Sequence, residues 1–106
     1  MPKYLIEASY TPQGVTGLGR EGGSGRREAV EAAVRGLGGR LESFYFAFGE
    51  VDAFVIVDLP DNETCAALAL AVNRGGAAKT VTVPLITVEE VDQALKKNVN
   101  YRPAGG

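Results

Sequence analysis

The sequence predicts an α+β domain with the element order β-α-β-β-α-β and one further helix at the end. Three observations carry this prediction. Four segments of about eight residues are rich in β-branched and aromatic residues, and the first three end at or next to a Gly or Pro. Two segments between them repeat small apolar residues at helical spacing. The middle two strand-like segments are joined by a connection too short for a crossover, so they must form an antiparallel hairpin.

Taken in order, Lys3–Tyr10 reads as a strand that stops at Thr11-Pro12, where proline cannot continue a ladder. Gln13 to Gly23 reads as a glycine-rich loop with one helical turn near Val15–Leu18. Ser24 reads as an N-cap. From there Ala29, Val30, Ala33, Val34 and Leu37 recur at helical spacing, and Gly36, Gly38 and Gly39 end the helix. Arg40–Phe48 is the second strand, Gly49-Glu50 a turn, and Asp52–Leu59 the third strand. Pro60-Asp61-Asn62 caps a helix over Glu63 to Arg74, apolar almost all round and therefore expected to be largely buried. Lys79–Ile86 is the fourth strand. Thr87-Val88-Glu89-Glu90 has the form of a capping box and starts a helix ending near Lys97, and residues 98–106 form a tail. The whole is one domain over residues 1–106. Right-handed crossovers put both main helices on one face of a four-stranded antiparallel sheet, with the first and third strands central, which is a ferredoxin-like arrangement.

Composition excludes several function classes. Eleven Lys+Arg against thirteen Asp+Glu leave a net charge of −2, with no basic excess for nucleic acid and no polybasic block for a membrane surface. There is no histidine and one cysteine, which removes the commonest general base, the commonest transition-metal ligand and any internal disulfide. No metal site and no cofactor is expected. The apolar start after Met1 is too short for a signal-peptide core, and the expectation is a cytoplasmic protein.

The face of the sheet away from the helices decides the assembly. Strand period 2 sorts Ala53, Val55 and Val57 to the helix side. It sorts Glu42, Phe44, Phe46 and Phe48, then Asp52, Phe54, Ile56 and Asp58, to the open side, together with Leu5, Glu7 and Ser9 of the first strand. Four phenylalanines at about 100 Å² each would carry roughly 10 kcal/mol per chain at ~25 cal/mol/Å². A two-fold dimer covers both copies and gains about twice that, against an association cost of about 4–15 kcal/mol. The expectation is a homodimer paired sheet to sheet, and the competing arrangement is a monomer whose last helix folds over the sheet. Between the paired sheets would lie a lumen for a small molecule, lined by aromatics and by acids, of which Asp52 and Glu7 are the candidate bases.

Phe44-Tyr45-Phe46-Ala47-Phe48-Gly49-Glu50-Val51-Asp52, followed by Val57-Asp58-Leu59-Pro60-Asp61-Asn62, resembles the GYD-domain family. The resemblance continues through Glu21–Arg27, Leu37-Gly38-Gly39, Leu70–Asn73 and Tyr101-Arg102-Pro103. Val51 stands where the family's name-giving segment has a tyrosine, so the chain brings no phenol there. The resemblance implies a dimeric α/β barrel, a superfamily that includes cofactor-free monooxygenases, lactone isomerases, haem enzymes and ligand-sensing domains. A histidine-ligated haem is incompatible with this composition unless the ligand comes from another chain.

Other motifs weigh less. Gly17–Gly22 matches G-x-G-x-x-G, but the strand ends too early and the next strand turns into a hairpin, so a dinucleotide site does not fit. Ser24, Arg26 and Arg27 at a helix start form a candidate anion site. Cys65, with no histidine to activate it, reads as a small buried hydrophobe. Three functions fit the chain: a ligand-binding or regulatory module, a cofactor-independent enzyme using a lumen carboxylate, and a structural subunit that stacks through edge strands and the Tyr101–Pro103 tail into a higher oligomer.

Overall fold

A computed structural model describes all 106 residues. The elements are β1 (Lys3–Tyr10), α1 (Pro12–Gly36), β2 (Arg40–Phe46), β3 (Ala53–Asp58), α2 (Asn62–Arg74), β4 (Ala78–Leu85) and α3 (Val88–Leu95). The four strands form one antiparallel sheet in the order β2-β3-β1-β4, with β1 and β3 central as expected.

The segment read as a glycine-rich loop is helical. Thr11 is the N-cap, its hydroxyl accepting from the Gly14 N–H, and Pro12 takes the first helical position, where its missing N–H costs nothing. Gly14 is required by close approach: a Cβ there would lie 1.9 Å from the Ala77 carbonyl oxygen. The helix breaks at Gly22, whose φ of 77° favours glycine, and resumes toward Gly36. Ser24 therefore lies inside helical structure just after the break and caps nothing.

The second correction concerns β2. A register shift between Leu41 and Ser43 marks a β-bulge. Leu41 pairs with Val57, but Ser43 pairs with Ile56 and Phe44 with Val55. One extra residue turns the rest of the strand over. Phe44 and Phe46 thus face the helices: Phe44 packs against the core, and the Phe46 ring lies against Gly23 of α1. The two rings touch at 5.1 Å between centroids. Phe48 lies beyond the strand end, fully exposed. Of the four phenylalanines assigned to the open face, only Phe54 is on it.

The core sits between the sheet and the helices. Tyr4, Val34, Val57 and Leu59 are its largest fully buried side chains. α2 buries only Cys65 and Leu68, and Leu70 and Val72 remain exposed, because one side of this helix has nothing above it. α3 carries its capping box as read from the sequence, Thr87 and Glu90 exchanging side-chain to backbone hydrogen bonds of 2.9 and 3.0 Å. It buries no residue. It does not fold over the sheet. Together with the tail it projects from the domain, which is why the radius of gyration is 16.8 Å, where a compact chain of this length has about 13 Å.

Candidate functional site

Two apolar surfaces lack a partner within the chain, and they lie on opposite sides of the sheet. Register places Leu5, Glu7 and Ser9 of β1, Ser43 and Tyr45 of β2, Phe54 and Ile56 of β3, and Val81 and Val83 of β4 on the open face. Tyr45 is 70% exposed, Val81 58% and Phe54 37%. Glu7 lies among them, between Phe54 and Val81 across the two flanking strands.

One end of this face is held by charge. Asp58 accepts from Lys3 Nζ at 2.8 Å and from Arg40 Nη2 at 2.9 Å, and Lys3 also pairs with Glu42. Lys3 above all, then Arg40, holds the Asp58 carboxyl below its usual range. The hydrogen bond from Lys3 to Asp58, then that to Glu42, raises the ammonium. These two acids read as lumen residues are thus partners in an ion cluster that ties the start of β1 to β2 and β3. Asp52, at the other end, accepts the Tyr10 N–H at 2.7 Å across the sheet. Its carboxylate is engaged in joining β1 to the β2–β3 hairpin. Ser9 donates to the Glu50 carbonyl at 2.8 Å.

The second surface is a half-open cleft in the helical layer, with a volume of about 290 Å³. It lies between α1 and α2, which make almost no contact with each other, and the helix face of the sheet is its floor. Small residues leave the space. Ala29 and Ala33 line it from α1, Ala69 from α2, and Ala8, Ala53 and Ala78 from the strands. Phe44, Val55, Leu68 and Val72 supply bulk at its edges. The polar groups at its wall are few: Tyr10, Arg26 and Thr80.

Arg26 stands where this cleft meets a second, more polar hollow under the first half of α1. Its Nε is buried without a hydrogen-bond partner, and its salt-bridge partner Glu21 approaches only to 3.3 Å. Burial pushes the Tyr10 hydroxyl above its usual 10.0, with the Arg26 charge acting in the opposite direction. The phenol therefore stays protonated at neutral pH and can donate. Arg27 is exposed and lines neither hollow, and Ser24 is exposed as well. The three residues read as one anion site are not brought together into one.

The GYD domain matches residues 4–95, from β1 to the last residue of α3. The chain belongs to the GYD-domain family. No curated protein and no solved structure gives a significant match to it. Within this GYD domain, the aromatic hairpin that carried the resemblance divides its side chains between the two surfaces: Phe44 and Phe46 toward the cleft side, Tyr45 and Phe54 toward the open face. Cys65 is buried near the start of α2, and burial raises its thiol above 9.0, away from the reactive thiolate. No helix is long and apolar enough to cross a membrane.

Sequence reasoning missed the cleft. Its signal was present: Ala29 and Ala33 stand four apart on one helix face, and Ala69 and Ala78 are small where the core could hold larger residues. Period alone gives the facing residues of each helix but not the gap between helices, which depends on how far apart the crossovers set them.

Proposed function

We propose that this GYD domain is a cytoplasmic homodimer that binds a small molecule in each subunit, with binding in the α1–α2 cleft rather than in a lumen between sheets. The observation that carries the binding reading is the 290 Å³ cleft, mostly apolar with a small set of polar groups at one side. That is the usual composition of a small-molecule site, at the lower end of the usual size of about 300–1,000 Å³. The dimer reading rests on the open face. Leu5, Tyr45, Phe54, Ile56 and Val81 form a patch that a monomer of this size would leave in water. A second copy applied by a two-fold axis covers both patches at once.

One further observation favours assembly. Val88, Val91 and Leu95 stand on one side of α3 at helical spacing and are 74%, 41% and 78% exposed. A helix this short is marginal in water without tertiary packing. Another subunit would supply it, in the dimer or in a larger oligomer.

Native mass spectrometry of the protein purified from its own host reads both parts together. The expected spectrum shows a species of twice 11.1 kDa or a higher multiple, carrying a retained small mass. A bare 11.1 kDa species at micromolar protein would overturn the dimer. A ligand-free spectrum, with no added apolar compound moving the cleft residues, would overturn the binding module.

A further inference from the structure

We propose that the ligand of the α1–α2 cleft is an amphipathic carboxylate, an apolar ring or short acyl chain whose anionic head is received by Arg26 and the Tyr10 hydroxyl. The inference deepens the proposed function and rests on its placement of the ligand in this cleft.

Size and lining select the apolar body. An engineered cavity of about 150 Å³ lined by aliphatic and aromatic groups holds benzene. This cleft has about 290 Å³, so it takes a ring with a substituent or a medium acyl chain. Its alanine-lined floor offers nothing to hydrogen-bond such a body, and water there forms few bonds.

Charge selects the head group. Arg26 is the one cationic side chain of the cleft wall. Guanidinium presents five N–H donors in a planar fork that matches a carboxylate. Glu21 reaches Nε at a long 3.3 Å, and that nitrogen is out of solvent without a hydrogen bond. A buried unpaired donor is costly, and a ligand that satisfies it gains what the chain alone forgoes. No carboxylate lines the cleft itself; Glu21, in the neighbouring hollow, is the acid beside Arg26, and the ligand's head competes with it for the guanidinium. Tyr10, protonated, adds a neutral donor beside the cation. A cationic or neutral ligand of the same shape would leave Arg26 as it is.

The test is a titration of full-length protein, labelled at alanine methyls and arginine side chains, with octanoate and separately with 1-octanol. Octanoate is expected to shift the Ala33, Ala69 and Ala78 methyls and the Arg26 Nε–H, leaving Ala94 of α3 unmoved. Octanol is expected to shift the same methyls but not the Arg26 signal, with an affinity at least 10-fold lower. Arg26→Gln should remove that difference, weakening octanoate at least 10-fold and octanol less than 2-fold. Ala33→Phe, which fills the cleft from its exposed helix face, should abolish both. Equal affinity for the two compounds, or equal losses in Arg26→Gln, would overturn the carboxylate while leaving a binding cleft. Methyls unmoved by either compound at millimolar concentration would overturn the cleft as well.

Discussion

On the helix side of the sheet Val57 and Leu59 are completely out of solvent and Tyr4 nearly so, whereas on the other side Tyr45, Val81 and Phe54 keep 70%, 58% and 37% of their surface. Both faces draw on the same strands, and along β1 and β3 they alternate residue by residue. The difference lies in what the chain can bring to each. The two crossovers deliver α1 and α2 to one side, and the only element left, α3, leaves the end of β4 and projects away. One face is completed by its own chain; in the proposed assembly the other is completed by a second copy. Stability on the first should be a property of the monomer, and stability on the second a property of concentration.

The largest effect belongs to the covered face. Leu59→Ala should lower unfolding free energy by about 2–5 kcal/mol, the usual cost of emptying a fully buried leucine site. Denaturant titration should give the same loss at every protein concentration. Ile56→Ala, on the open face, should instead give a loss that shrinks as protein is diluted, and equal behaviour of the two variants would erase the distinction between the faces.

Gly14→Ala comes next. Its Cβ would fall on the Ala77 carbonyl and force α1 away from the β4 edge, at roughly 1–3 kcal/mol. A thermal melt should move down by several degrees, and an unchanged melt would mean that α1 does not seat against Ala77.

Asp58→Asn should cost about 1 kcal/mol at pH 7, modest because Lys3 and Arg40 keep contact with solvent. The sign of its pH dependence follows from the depressed carboxyl. The unfolded chain binds the proton more readily near 3.8, so the stabilisation is complete above that pH and fades as pH falls through the lower folded value. The gap between wild type and variant should therefore close in acid. A gap that widened in acid would show that the ion cluster is not what ties β1 to its neighbours.

The smallest effect is at the arm. Thr87→Ala removes the cap and about 0.5–2 kcal/mol of local helix stability. Amide exchange in residues 88–95 should speed up while the core amides of β1 and β3 stay protected. Loss of core protection would place α3 within the cooperative unit of the domain.

Much of this was legible beforehand, for reasons that can be named. The strand order, the hairpin, the caps at Asp61 and Thr87 and the open-face set of β1 and β3 follow from period, turn chemistry and crossover handedness, all local signals. Three features were not. The first half of α1 hides behind glycines that suggest a loop, although Thr11-Pro12 is a helix start, and tertiary contact at Gly14 overrides the propensity. The β2 faces invert because one residue at the bulge shifts the period, and nothing in Arg40–Phe46 announces which residue is extra. The cleft depends on the spacing between two helices that make almost no contact, and Arg26 comes near Tyr10 only because a strand end and a helix restart coincide in space.

Sedimentation equilibrium of the purified chain, from low micromolar upward, tests the central claim that the open face is covered by a second copy. The predicted mass is at least twice 11.1 kDa, falling toward that of one chain in Phe54→Glu, which sets a charge into the patch. A wild-type mass of 11.1 kDa across the whole range would contradict it.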